Sequence, residues 1–75
     1  MMMLNQLKPG DIARIVAFEN ISELKNRFVS KGISEGSMIR IISCFGLITF
    51  DVDSKIFSVS DGIAGRVRVI KLKLS

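Results

Sequence analysis

Residues 27–41 read RFVSKGISEGSMIRI, with Gly32 and Gly36 standing between a helix-like run and a strand-like run. The interval is too short for a flexible linker. Upstream, Ile21, Leu24, Phe28 and Val29 recur at i, i+3, i+7 and i+8, which is one face of an α-helix. Asn20 suits the N-cap, and Glu23, three residues on, suits the return hydrogen bond of a capping box. Lys31 places a cation at the negative end of the helix dipole. Gly32 then falls at C′, where the backbone turns left-handed, and Ile33 can fold back on the last turn as in a Schellman motif. Gly36 closes a tight turn that launches the next strand. The two glycines bracket a helix-to-strand reversal.

Short apolar runs lie on both sides of that reversal. Ahead of it, Lys8-Pro9-Gly10-Asp11 is a turn signal, because Pro presets φ, Gly permits φ > 0 and Asp bonds nearby backbone. Residues 11–18, DIARIVAF, read as a strand buried in part on both faces. Behind it, residues 38–44 and 47–52 read as strands around a hairpin tip at Phe45-Gly46. Ile48, Phe50 and Val52 alternate with Thr49 and Asp51, leaving Leu47 off the buried face. Asp53-Ser54-Lys55 makes a second turn, residues 56–59 a third hairpin partner, and residues 60–65 a single 3₁₀ turn. In the closing run RVRVIKLKL, Val67 and Val69 share one parity while Ile70, Leu72 and Leu74 share the other. That pattern predicts a change of buried side near Ile70, through a β-bulge or a strand that leaves one sheet for another. The sum is a mainly β fold: about five strands in a small, partly open SH3-like barrel, one α-helix after the first strand, and a short 3₁₀ turn before the last strand.

Seventy-five residues make one domain, 1–75, which buries roughly 60–65% of its surface on folding. A 48% hydrophobic content supplies the core, and residues 1–6 are expected to fray. One cysteine, Cys44, rules out an intramolecular disulfide and points to a reducing compartment. No apolar run reaches the ~20 residues that a membrane span needs. The start, MMMLNQLKPGD, lacks the features of a signal peptide, so a cytoplasmic location is expected, compatible with the inner face of a membrane.

The absence of histidine removes the commonest general base, and with it any Ser/His/Asp or Cys/His arrangement, so no enzymatic activity is expected. Cys44, on an apolar strand, reads as a buried structural thiol. Asp51 and Asp53, two residues apart, read as a solvated strand end rather than a cation site. One Cys and no His cannot build a thiolate or imidazole metal site within one chain, and no cofactor is expected. GISEG lacks the Lys-Ser/Thr of a phosphate-binding loop. Net charge is +4, and only the last strand concentrates it, in Arg66, Arg68, Lys71 and Lys73. These residues suit nucleic acid, an acidic partner or a membrane surface, and equally serve to guard a strand edge. Phe45 at a hairpin tip is either tucked onto the core or offered to a partner.

Taken in order, LKPGDIARIVAF, LKNRFVSKGISEGSMIRII, ITFDV and IFSVSDGIAGRVRV resemble the FeoA family, ferrous iron transport protein A. Leu7 and Gly10 match its opening turn, and Ala13 and Ile15 its first strand. Arg27, Phe28, Lys31, Gly32, Ile33 and Gly36 fall on its central block, and Ala64, Val67 and Val69 on its close. Phe28 replaces the usual Leu, Lys31 stands where an apolar residue is common, and Ser54 where a Gly often turns the chain. The resemblance implies a non-enzymatic, cytoplasmic SH3-like domain associated with FeoB, the Fe(II) permease that carries a GTPase domain. The expected partner surface comprises Phe45, Leu47, Arg66, Arg68, Lys71 and Lys73, with Gly10, Gly32 and Gly36 as structural turns. A homodimer through exposed apolar strand edges is a reasonable expectation, whereas iron held between carboxylates of two chains is left open by the sequence. The alternatives are a small basic barrel that binds nucleic acid and, less well supported by the lack of Tyr and Trp, a domain for proline-rich peptides.

Overall fold

The helix ahead of Gly32 spans Ser22–Val29 (α1) and ends as the two glycines require. Gly32 has φ +85°. Its N–H donates to the Val29 carbonyl at 2.9 Å, and the Ile33 N–H donates to the Phe28 carbonyl at 2.9 Å. Those are the two bonds of a Schellman motif, and Ile33 is buried beside the helix end it closes. Leu24 and Phe28 face the core, whereas Val29, expected on the same face, is exposed. The structure, a computed structural model, describes residues 2–19 and 22–72, with backbone only at Ser22 and Glu23. The expected N-cap Asn20, the Ile21 contact, the Glu23 capping carboxylate, Lys73 and Leu74 lie outside what is described.

Among the described residues, six strands form one antiparallel sheet: β1 (Met2–Met3), β2 (Ile12–Phe18), β3 (Met38–Phe45), β4 (Leu47–Val52), β5 (Lys55–Ser60) and β6 (Val67–Leu72). Their order is β1-β6-β2-β3-β4-β5, so the sheet curls into an SH3-like barrel that stays open between β1 and β5. A 3₁₀ turn (Leu4–Gln6) follows β1, and one α-helical turn, α2 (Asp61–Ala64), joins β5 to β6. The single turn before the last strand is therefore bonded as α, from the Gly65 N–H to the Asp61 carbonyl at 2.9 Å. Ser60 caps it, its Oγ accepting from the Ile63 N–H at 3.3 Å.

Residues 1–6 were expected to fray, and the described part of this segment is bound instead. Met2 and Met3 pair with Val69 and Arg68 on β6. Leu4 is completely buried in the core. A frayed start would leave a hole at the Leu4 site, and filling it fixes the segment in place.

Two segments, 7–18 and 33–44, are built alike. Each opens on a buried aliphatic residue, Leu7 or Ile33, and then makes a turn whose third residue is glycine, Gly10 at φ +92° or Gly36 at φ +93°. The turns close from the Asp11 N–H to the Lys8 carbonyl and from the Ser37 N–H to the Ser34 carbonyl, each at 3.0 Å. In both, the fourth side chain reaches back to the first N–H: Asp11 Oδ2 to Lys8 at 2.8 Å, Ser37 Oγ to Ser34 at 3.0 Å. Each strand then carries a bulge, at Val16 opposite β6 and at Ile42 opposite β4. The bulges have a clear use. Ile15 and Phe18 lie three apart, as do Ile41 and Cys44, and only an extra residue brings both members of each pair to the concave side. Phe18 then meets Phe28 of α1 edge-on, with ring centroids 5.1 Å apart, which seats the helix against the end of β2.

The bulge at Val16 also explains β6. The parity of Ile70 and Leu72 pointed to a second buried face. The irregularity lies across the ladder in β2 instead, where Ile15 pairs with Val69 and Ala17 with Arg68. Val67 and Val69 enter the core, Ile70 is 49% exposed on the convex face, and Leu72 is half-buried.

Candidate interaction surface

The β3–β4 hairpin turns on one residue. Phe45 pairs with Leu47 across Gly46, whose φ of +75° permits so tight a reversal. Behind the tip, Ile48, Phe50 and Val52 are locked in the core, so the hairpin stands on a rigid base. Phe45 is 93% exposed and Leu47 51%. Of the two positions open to Phe45, the structure takes the outward one. Phe45 and Leu47 together form an exposed apolar pair at the tip of a well-packed strand pair.

Cys44, expected to be buried, is exposed. It lies past the Ile42 bulge, where β3 runs beyond the main core, and its Sγ donates to the Leu7 carbonyl at 3.7 Å. Asp51 turns to Arg40, with 3.0 Å between Oδ2 and a guanidinium nitrogen, while Asp53 sits in the following turn at φ +50°. The two carboxylates therefore do not act together.

Of the six residues expected to share one partner surface, the five that are described fall into separate places. Phe45 and Leu47 lie on strands that do not pair with β6. Arg66, just ahead of β6, and Arg68, near its start, lie beside Glu19. The Arg66 carbonyl accepts from the Glu19 N–H at 2.7 Å, and the Arg68 guanidinium is paired with the Glu19 carboxylate. Lys71 lies toward the other end, with Nζ 3.4 Å from Asp11 Oδ1. The basic strand is thus partly neutralised by carboxylates of its neighbour. Asp11 responds to its surroundings: the hydrogen bond from the Lys8 N–H holds its carboxyl below the ordinary value, and the nearby Lys71 adds to the effect.

One surface escaped the sequence reading. Met38, Arg14 and Ile70 form a cross-strand row on the convex face of β3, β2 and β6, with both apolar members about half exposed. Its signal in the sequence was the off-parity Ile70, which reads as well for a second core as for a surface contact.

The FeoA domain model matches residues 2–71, nearly the whole chain. The chain belongs to the FeoA family. A crystal structure described as an iron uptake regulatory protein, FeoA, superposes at TM-score 0.85 with 29% identity, covering 95% of this chain and 97% of that one. The solution structure of the FeoA protein from Chlorobium tepidum superposes at TM-score 0.83 with 18% identity, covering 96% and 71%. A manganese-dependent transcriptional repressor has the same fold at TM-score 0.83 and 23% identity, but this chain spans only 41% of its length. No curated protein sequence matches the chain. Among the described residues, no helix is long and apolar enough to cross a membrane.

Proposed function

We propose that this FeoA-family chain is a small accessory protein of ferrous iron uptake that acts by binding the cytoplasmic region of a FeoB-type permease. The observation that carries this reading is Phe45, held almost fully in water on a hairpin whose base is fixed in the core. Phe45 and Leu47 are the apolar anchors of the contact. Burying an exposed aromatic ring gives such a contact most of its energy, while surrounding polar groups exclude water. Family membership supports the iron-uptake role, and the exposed hairpin supports a role by contact rather than by chemistry.

Nucleic-acid binding gains nothing from the fold, because Arg68 and Lys71 are engaged with Glu19 and Asp11. Titration calorimetry with the cytoplasmic region of FeoB from the same source, at two salt concentrations, tests the proposal. Binding that survives moderate salt and weakens with Phe45→Ala supports it. Absence of binding, or binding indifferent to that substitution, removes the hairpin from the role.

A further inference from the structure

The open barrel has two edges that differ sharply. β1 is two residues long, and brevity is itself an edge defence. β5 has six residues, KIFSVS, with no proline, no bulge and one charge at its end. Among the described residues it pairs only with β4. Its register shows which backbone groups remain open. Val52 and Lys55 flank the two-residue turn at Asp53 and Ser54, both with positive φ, so they form a hydrogen-bonded pair. By alternation, Lys55, Phe57 and Val59 bond to β4, and Ile56, Ser58 and Ser60 aim their N–H and C=O groups away from the sheet.

We infer that this edge pairs with the β5 edge of a second copy of the chain, antiparallel, about a two-fold axis at Ser58. Centred there, Ser58 opposes Ser58 and Ile56 opposes Ser60, so every open group of the strand meets a complement. The same register sets Phe57 against Val59 on the concave side, both half-buried and packed against the core already. It also sets Lys55 of each copy against Asp61 of the other, twice over, by symmetry. Moving the axis by one residue to Phe57 places Lys55 against Val59 and loses both charge pairs. Ile56, 69% exposed in the single chain, gains cover from the neighbouring strand. The segment is complementary to itself in hydrogen bonding, apolar pairing and charge, which selects a second copy over an unrelated peptide.

Analytical ultracentrifugation of the intact protein, from low-micromolar to millimolar loading, tests this. The weight-average mass rises toward twice the 8.3 kDa of one chain. Ser58→Pro removes an N–H that makes no bond to β4, so the variant keeps its circular dichroism spectrum and stays monomeric. Lys55→Glu weakens the dimer about tenfold by opposing like charges, and adding Asp61→Lys in the same chain restores it. The restoration is a readout that a merely misfolded variant does not give. A monomer at every loading, a dimer indifferent to a folded Ser58→Pro, or a charge swap that fails to rescue each overturns the inference. Pairing of the edge only with an added peptide overturns it as well.

Discussion

The N–H of Gly10 donates to the Ile41 carbonyl, and the N–H of Gly36 donates to the Ile15 carbonyl, each at 2.8 Å. Each glycine thus ends a turn that leads into one strand while bonding to the other, and the exchange is reciprocal. The strands answer in kind: Ile41 donates to the Asp11 carbonyl and Ile15 to the Ser37 carbonyl, each at 2.9 Å. β2 and β3 are therefore clamped at both ends by the turns that precede them, and the β3–β4 hairpin that carries Phe45 inherits its direction from that clamp.

Substitution of either glycine by alanine is expected to cost about 1–2 kcal/mol, since both occupy the left-handed region that L-residues avoid. Nothing lies within 4 Å of a Cβ built at either position, so the cost comes from the backbone and not from a clash. Asparagine, which tolerates that conformation, is expected to cost less than alanine at both sites. Urea unfolding measures the differences, and alanine variants as stable as the parent refute the account.

Much of this was legible in the sequence, for a physical reason. Gly32, Gly36 and the Leu24–Phe28 spacing are local signals, and local signals fixed α1, its C-cap and the turn into β3. Alternation at Ile48, Phe50 and Val52 fixed which side of β4 is buried. What stayed hidden depends on pairing. The bulge at Val16 is visible only against β6, the burial of Leu4 only against a core assembled from distant strands, and the engagement of Arg68 only once Glu19 lies beside it. The site was read least well. Exposure of Phe45 could not be told from a tucked ring, and the expected contact residues that are described do not share a place in the barrel.

Leu4→Ala is expected to destabilise the protein by about 2–5 kcal/mol, the usual cost of truncating a fully buried leucine. Chemical denaturation checks it. A change within about 0.5 kcal/mol, as at an ordinary surface site, means that the first turn contributes little and that its burial is incidental.

Acid sensitivity should involve Asp11. Its carboxyl is held below the ordinary value of 3.8, first by the Lys8 N–H and then by Lys71. A depressed folded-state value means that the contribution is present above the unfolded value and is lost as pH falls through the folded one. Stability is therefore expected to decline below about pH 3.8 more steeply in the parent than in Asp11→Asn. The variant keeps an acceptor for the turn but no longer titrates. Thermal melts between neutral pH and pH 2 compare the two, and parallel curves exclude the assignment.

Phe45→Ala separates binding from folding. With 93% of its surface in water, Phe45 adds little to the core, so its loss is expected to change unfolding free energy by less than about 0.5 kcal/mol. Phe50, fully buried on the adjacent strand, is expected to cost about 3–5 kcal/mol when truncated in the same way. If the hairpin tip is an anchor for the permease, Phe45→Ala also weakens that complex at least tenfold, or about 1.4 kcal/mol. Leu47→Ala, less exposed and paired with Phe45, is expected to weaken it to a smaller degree. Calorimetric titration alongside urea unfolding gives both quantities for each variant. A Phe45→Ala protein that unfolds early is a core mutant in disguise, whereas one that folds and binds as the parent does leaves the exposed ring without the role assigned to it.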